Sequence, residues 1–158
     1  MLILGLDPGL ADTGWGVVEA GDRLVAVDYG SLKTAPHESL AERLEILYRQ
    51  LTALIKKHQP VKAAVEQLFF CNNVKTALAV GQARGVVLLA CQQAGLEIVE
   101  FTPLQIKQGV TAYGGADKRQ VQKMVQMILG LKELPRPDDA ADALAAAICA
   151  ANSRVFGG

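Results

Sequence analysis

The chain has 158 residues, of which 51% are hydrophobic and 20% charged, so it is too apolar to be disordered and too short for two full-sized domains; one domain over residues 1–158 is expected. Sixteen basic residues balance sixteen acidic ones, so any attraction to a polyanion must come from a local patch. The longest uncharged apolar run, 143–151, is short of the roughly 20 residues of a bilayer span, and the first apolar run meets Asp7 with no basic segment before it; no membrane segment or secretory signal is expected, and the cytoplasm is the expected compartment.

In chain order, the first third reads as a three-stranded meander over residues 2–6, 14–20 and 24–33, turned at Asp7-Pro8-Gly9 and near Gly21. From Ser39 to Lys57, Leu40, Leu44, Leu47, Leu51 and Leu54 alternate spacings of four and three, the mark of an amphipathic helix, stopped before Pro60. Val61 to Val65 is a second buried strand, ending at Glu66. A helix over 74–94, a strand over 97–101 and helices over 103–111, 117–129 and 137–153 complete the chain. This order implies an α/β fold, with a mixed five-stranded sheet flanked by helices.

The helix over 74–94 is apolar on nearly every face, so both sides are expected to be covered. One side suits the sheet and the other a second protomer in a twofold homodimer, with Gly81 and Gly85 one turn apart permitting close approach. Cover by neighbouring helices of the same chain is the alternative. Cys71, Cys91 and Cys149 are odd in number and widely spaced, and read as free thiols.

Four acids stand out. Asp7 and Glu66 each close an apolar strand, and Asp139 and Asp142 lie three apart on one helix face. If the two strands are parallel neighbours, their carboxylates emerge at one edge of the sheet. Together the four acids could hold hard divalent cations through oxygen, and a two-ion site suits in-line hydrolysis of a phosphodiester. Each acid also has a plainer reading. Asp7 could shape the turn at Pro8-Gly9, Asp138 or Asp139 could cap the last helix, and Glu66 could be a structural buried acid; Asp138 is assigned to the cap.

Between residues 102 and 126, Lys107, Lys118, Arg119 and Lys123 face the single acid Asp117. That segment either binds phosphates or is an ordinary solvated face. Phe69 and Phe70, just beyond Glu66, could stack on or wedge between bases, or pack in the core. Asn72 and Asn73 could contact phosphate or cap the next helix, and His37 and His58 receive no role.

The motifs Leu4-Gly5-Leu6-Asp7-Pro8-Gly9, Thr13-Gly14-Trp15-Gly16, Glu66-Gln67 with Phe69, Gly81-Gln82-Ala83-Arg84-Gly85, Lys107-Gln108, Ala116-Asp117-Lys118 and 139–145 together resemble the RuvC family of crossover junction endodeoxyribonucleases. The resemblance implies a ribonuclease-H-like fold and a homodimer that resolves four-way Holliday junctions by paired symmetric nicks, in recombination and DNA repair. It implies catalytic and metal-binding roles for Asp7, Glu66, Asp139 and Asp142. The implied cofactor is Mg2+, two ions per active site, with Mn2+ as a substitute. DNA contacts are implied for Lys107 and Lys118, with Arg119 beside them in the basic segment, and base unstacking for Phe69. The branch-migration proteins RuvA and RuvB are the implied partners. Asn72 departs from the family, many members of which carry a basic residue there.

Three other readings compete. The YqgF family of RNA-processing nucleases has a similar Asp-Pro-Gly motif, but its chain is usually shorter. Actin-like ATPases share a glycine-containing first phosphate motif, but need two lobes. A non-catalytic junction-binding module would keep the basic segment without needing all four acids.

Overall fold

The computed structural model describes residues 1–67 and 73–153. Phe69, Phe70, Cys71 and Asn72 lie outside the described residues, and the expectations attached to them with them. The elements follow the expected order: β1 (Leu2–Asp7), β2 (Asp12–Ala20), β3 (Leu24–Lys33), α1 (Leu40–His58), β4 (Lys62–Glu66), α2 (Val74–Gln93), β5 (Glu97–Phe101), α3 (Pro103–Thr111), α4 (Lys118–Leu129) and α5 (Asp138–Asn152). Five strands form one sheet in the order β3-β2-β1-β4-β5. The meander β1-β2-β3 is antiparallel, and β4 and β5 join it in parallel with β1. β2 begins two residues before the expected Gly14, because Asp12 and Thr13 still pair with Lys33 and Leu32.

The period-two alternation of the strands sorts their side chains to two cores. Ile3, Val18 and Ala64 pack beneath α3, α4 and α5, with Val125, Leu144 and Ile148. Leu4, Leu6, Val17, Ala63 and Val65 face α1 and α2, with Leu47, Leu51 and Val87. The helix starts are written locally. Ser39 with Glu42, Thr102 with Gln105, and Asp117 with Gln120 each form a reciprocal capping box. Asn73 caps α2, its side chain accepting from the Lys75 and Thr76 amides.

The assignment of Asp138 as a cap is corrected. Pro137 holds the N-cap position of α5, and the cap makes no side-chain hydrogen bond. Asp138 instead lies in the first turn, with Oδ2 3.9 Å from Lys118 Nζ. The expectation of no membrane segment rested on uncharged runs alone. By length and composition α2 is long and apolar enough to cross a bilayer. In this fold it packs against α1 and β5, burying Ala83, Val87, Ala90 and Cys91.

Candidate active site and metal centre

Leu6 of β1 pairs with Val65 of the parallel β4, so the next residue of each strand, Asp7 and Glu66, leave the same edge of the sheet side by side. The turn after Asp7 is held by Thr13, whose hydroxyl donates to the Gly9 carbonyl at 2.6 Å and accepts from the Gly9 amide at 3.2 Å. The Asp7 carboxylate stands close enough to Glu66, Asp142 and Asp139 for the charge of each to act on it.

The second pair of acids arrives because α5 lies unusually close to the sheet. A Cβ on Gly5 would stand 1.8 Å from the Ala143 carbonyl oxygen, one on Gly14 2.0 Å from that of Asp139, and one on Gly16 2.5 Å from Leu144 Cδ2. Three glycines on β1 and β2 thus leave room that side chains would fill, and Ala140, Ala143 and Ala147 keep the facing helix equally thin. This approach sets the first turns of α5 over the end of β1. Asp7, Asp139 and Asp142 each offer a carboxylate oxygen within 4.8 Å of the others, and Glu66 lines the same depression as Asp7 and Asp142.

So many acids in one place are electrostatically costly. Burial, then the charges of Glu66, Asp142 and Asp139, push the Asp7 carboxyl up to about 9. Glu66, Asp139 and Asp142 are raised as well, burial being the largest cause for each. Lys118 opposes the rise at all three, with Nζ 3.7 Å from Asp142 Oδ2. Lys33 adds to this at Asp139, but two lysines do not balance four carboxylates. Hard oxygen donors, partly buried and short of positive charge, fit a divalent cation.

Sequence reasoning placed the acids and two of the cations. Lys107 and Lys118 line one cleft with Glu66 and Asp142. Arg119 is exposed on α4 and does not line that cleft. Phe69 falls outside the described residues. Arg84 was quoted only as part of a motif, and it has a definite place: its guanidinium donates to the Glu66 carbonyl at 2.7 Å and pairs with the Glu100 carboxylate. It anchors the end of β4 to α2, and a lone arginine within an apolar helix was the available signal. The thiols of Cys91 and Cys149 are free and buried, and burial pushes both up to about 12, so neither is a nucleophile for this site.

The family model described as crossover junction endodeoxyribonuclease RuvC matches residues 3–150. The chain belongs to the RuvC family. It is 57% identical to the crossover junction endodeoxyribonuclease RuvC of Desulfitobacterium hafniense, over 97% of this chain and 93% of the relative. The RuvC of Heliobacterium modesticaldum is 53% identical over 99% and 98%. Among solved structures, Thermus thermophilus RuvC superposes with a TM-score of 0.91 at 36% identity, covering 99% of this chain and 97% of that one. The same protein in complex with a Holliday junction substrate gives 0.88 at 36% identity, covering 98% and 96%. The yeast mitochondrial Holliday junction resolvase shares the fold at TM-score 0.71 and 15% identity, covering 97% of this chain and 78% of that one. The mixed sheet with α5 on one face is thus the ribonuclease-H-like fold of RuvC nucleases, the chain is a crossover junction endodeoxyribonuclease, and the cluster of Asp7, Asp139 and Asp142 is consistent with a divalent-metal site.

Proposed function

We propose that the chain is a Holliday junction resolvase. It hydrolyses DNA phosphodiesters at four-way junctions by paired symmetric nicks, in recombination and repair, as a single ribonuclease-H-like domain over residues 1–158. The observation that carries the reading is the convergence of Asp7, Glu66, Asp139 and Asp142 at one sheet edge, where Lys118 and, at Asp139, Lys33 offset only part of their charge. Asp7, Glu66, Asp139 and Asp142 are the proposed catalytic residues, holding two Mg2+ ions, which Mn2+ can replace. Held by these acids, divalent ions would supply water activation and stabilisation of leaving-oxygen charge for an in-line displacement.

The chain's own residues do the rest. Asp7 is central, because its carboxylate lies within 4.8 Å of those of Asp139 and Asp142 and because it ends the strand beside Glu66. Lys118 Nζ, within salt-bridge reach of Asp142 and Asp138, orders the free acids and offers its charge to an incoming phosphate. Lys107 across the same cleft adds a second contact, and Arg119 a weaker one from the exposed side of α4. Phe69 is proposed to unstack bases next to the scissile phosphate.

Paired cuts call for two sites related by a twofold axis. The face of α2 turned away from the core carries Val74, Leu78 and Leu89, which are 71%, 61% and 51% exposed. A Cβ on Gly85 would meet nothing within 4 Å. With Gly81 these positions form one helical stripe, which suits a second copy of α2. The chain is proposed to work in the cytoplasm with the branch-migration proteins RuvA and RuvB.

The test is cleavage of an end-labelled mobile four-way junction with Mg2+ by the wild type and by Asp7→Asn, beside matched duplex and structured RNA. The expected result is paired symmetric nicks, at least about 100-fold slower in the variant, with junction binding retained. Binding without cutting by the wild type would leave a non-catalytic module, and cutting of RNA alone would point to an RNA-processing nuclease.

A further inference from the structure

Three depressions adjoin one another across the carboxyl edge of the sheet. The first holds Lys107 and Lys118 beside Glu66 and Asp142. The second contains Asp7, Glu66, Asp142 and Arg84, and shares Pro103 with the first. The third, about 480 Å³, lies between the loop after Asp7, residues 9–12, and the helices α1 and α2, and shares Val80 with the second. The acids therefore occupy the middle of a continuous track. Cations stand at both ends: Lys107 and Lys118 at one, Arg43 and Lys75 at the other.

The proposed function uses only the first pair. Among the described residues, Arg43 and Lys75 have no carboxylate partner, as Lys107 at the other end of the track has none, whereas Lys33, Arg84 and Lys118 are each paired. Arg43 spends one donor, Nε, on the Thr34 hydroxyl at 2.9 Å, which orients its guanidinium and leaves the two terminal nitrogens. Lys75 is exposed. Asp12, the acid on this wall, is taken up by Lys33 at 2.8 Å. No acid lies in the first turn of α2, where Lys75 and Thr76 sit, so the positive end of the helix dipole adds to the local potential.

We propose that Arg43 and Lys75 form a phosphate-binding site for the backbone of the DNA strand being cut, at the end of the track away from Lys107 and Lys118. The inference rests on the nuclease reading and deepens it. Four carboxylates repel a polyanion, and cations at one end alone would hold the strand at a single point about which it could pivot. A second hold beyond Asp7 fixes the strand's register over the acids. Contacts of this kind read the backbone and not the bases, so they act equally on junctions of any sequence.

The test measures junction affinity by fluorescence anisotropy from about 50 to about 200 mM salt, in an Asp7→Asn background that binds without cutting. Lys75→Gln and Arg43→Gln are each expected to lower the magnitude of the slope of log K against log salt by about 1, and the double variant by about 2. Lys75→Arg should keep the slope. Arg49→Gln should too, since Arg49 is exposed on α1 and pairs with Glu45 at 3.2 Å. Thermal melting checks each variant's fold, and because Arg43 also holds Thr34, Lys75→Gln alone decides if the Arg43 variant melts early. An unchanged slope in Lys75→Gln overturns the proposal. Ethylation interference should lose one or two phosphates beside the cut in the variants; a reduced slope with an unaltered interference pattern would mean a long-range field and would also overturn it. Wild-type cleavage, run in parallel, separates the readings: a protein that neither cuts nor prefers junctions refutes the nuclease, while the slopes still report on the phosphate site.

Discussion

The helices α5 and α2 look alike in sequence, both long, alanine-rich and apolar on nearly every face, yet they end in opposite environments. In α5, Ala140, Ala141 and every residue from Ala143 to Ala150 are buried, between the sheet on one side and α3 and α4 on the other. In α2 only Ala83, Val87, Ala90 and Cys91 are buried, and Val74, Leu78 and Leu89 face outward. Apolarity all round states that a helix will be covered, and not by what. For α5 the cover is its own chain, and the close fit places two acids. The outer face of α2 is exposed in the single chain, and it is the face on which the proposed second copy would sit.

The largest effect should come from breaking the close fit. A side chain at Gly5 meets the Ala143 carbonyl oxygen, which belongs to helix backbone and cannot turn aside. Gly5→Val is therefore expected to cost about 3 kcal/mol or more of stability. In any fraction that folds, it should abolish cleavage by lifting Asp139 and Asp142 away from Asp7. Urea unfolding and junction cleavage read the two effects separately. Full stability with full activity would show that α5 does not need the glycine floor. The same treatment of α2 should act on assembly and leave the fold intact. Leu78→Lys with Leu89→Lys puts two charges on an exposed stripe, where stability should move by only about 0.5 kcal/mol per site. Sedimentation should nevertheless show a monomer, and nicking of the two strands should lose its coordination. A double variant that sediments as a dimer would move the interface elsewhere.

This contrast also marks how far the sequence could be read. Strand and helix order follow from alternation, leucine spacing and capping residues, which are local signals, and all ten elements appear in that order. Asp7 and Glu66 were legible because a charge that ends an apolar strand is conspicuous. Their adjacency was conditional on a parallel pairing of β1 and β4, which depends on residues more than fifty positions apart. Asp138 was misread because an acid after a proline looks like a cap, while Pro137 itself takes the cap position and Lys118, from another helix, draws the carboxylate. Arg84 was quoted in a motif but given no role, since its partners, the Glu66 carbonyl and Glu100, lie on two different strands.

Arg84 is where the two helices meet in function, for it ties α2 to the strand end that presents Glu66. Arg84→Gln removes the pair with Glu100 and the bond to the carbonyl, and should cost about 1 to 3 kcal/mol. At saturating junction, cleavage should slow about 10-fold, with a higher Mg2+ requirement, if Glu66 is displaced by a fraction of an ångström. Arg84→Lys keeps the charge but not the two-armed reach, and should recover only part of the loss. A variant that loses stability while its Mg2+ dependence stays that of the wild type would make Arg84 a structural residue only.

The smallest effect separates the helices by pH. The apolar stripe of α2 has no charge to titrate, so self-association should vary little between about pH 6 and pH 9, a window inside the interval from the ordinary carboxylate at 3.8 to the raised Asp7 at about 9. The acids gathered by α5 behave otherwise. Their folded-state pKa values are raised, that of Asp7 to about 9, so the metal-free folded protein holds protons that the unfolded chain has already released. Its stability from this site is full below the ordinary carboxylate range and is lost as pH rises toward 9. A divalent cation replaces those protons, and its binding tightens over the same interval. The rise in Tm on adding Mg2+ should therefore grow from pH 6 to pH 9, and shrink at every pH in Asp142→Asn. Calorimetry with and without Mg2+ checks both, and a shift independent of pH would mean that the ion binds where no proton has to leave, away from the cluster that Gly5 and Gly14 bring together.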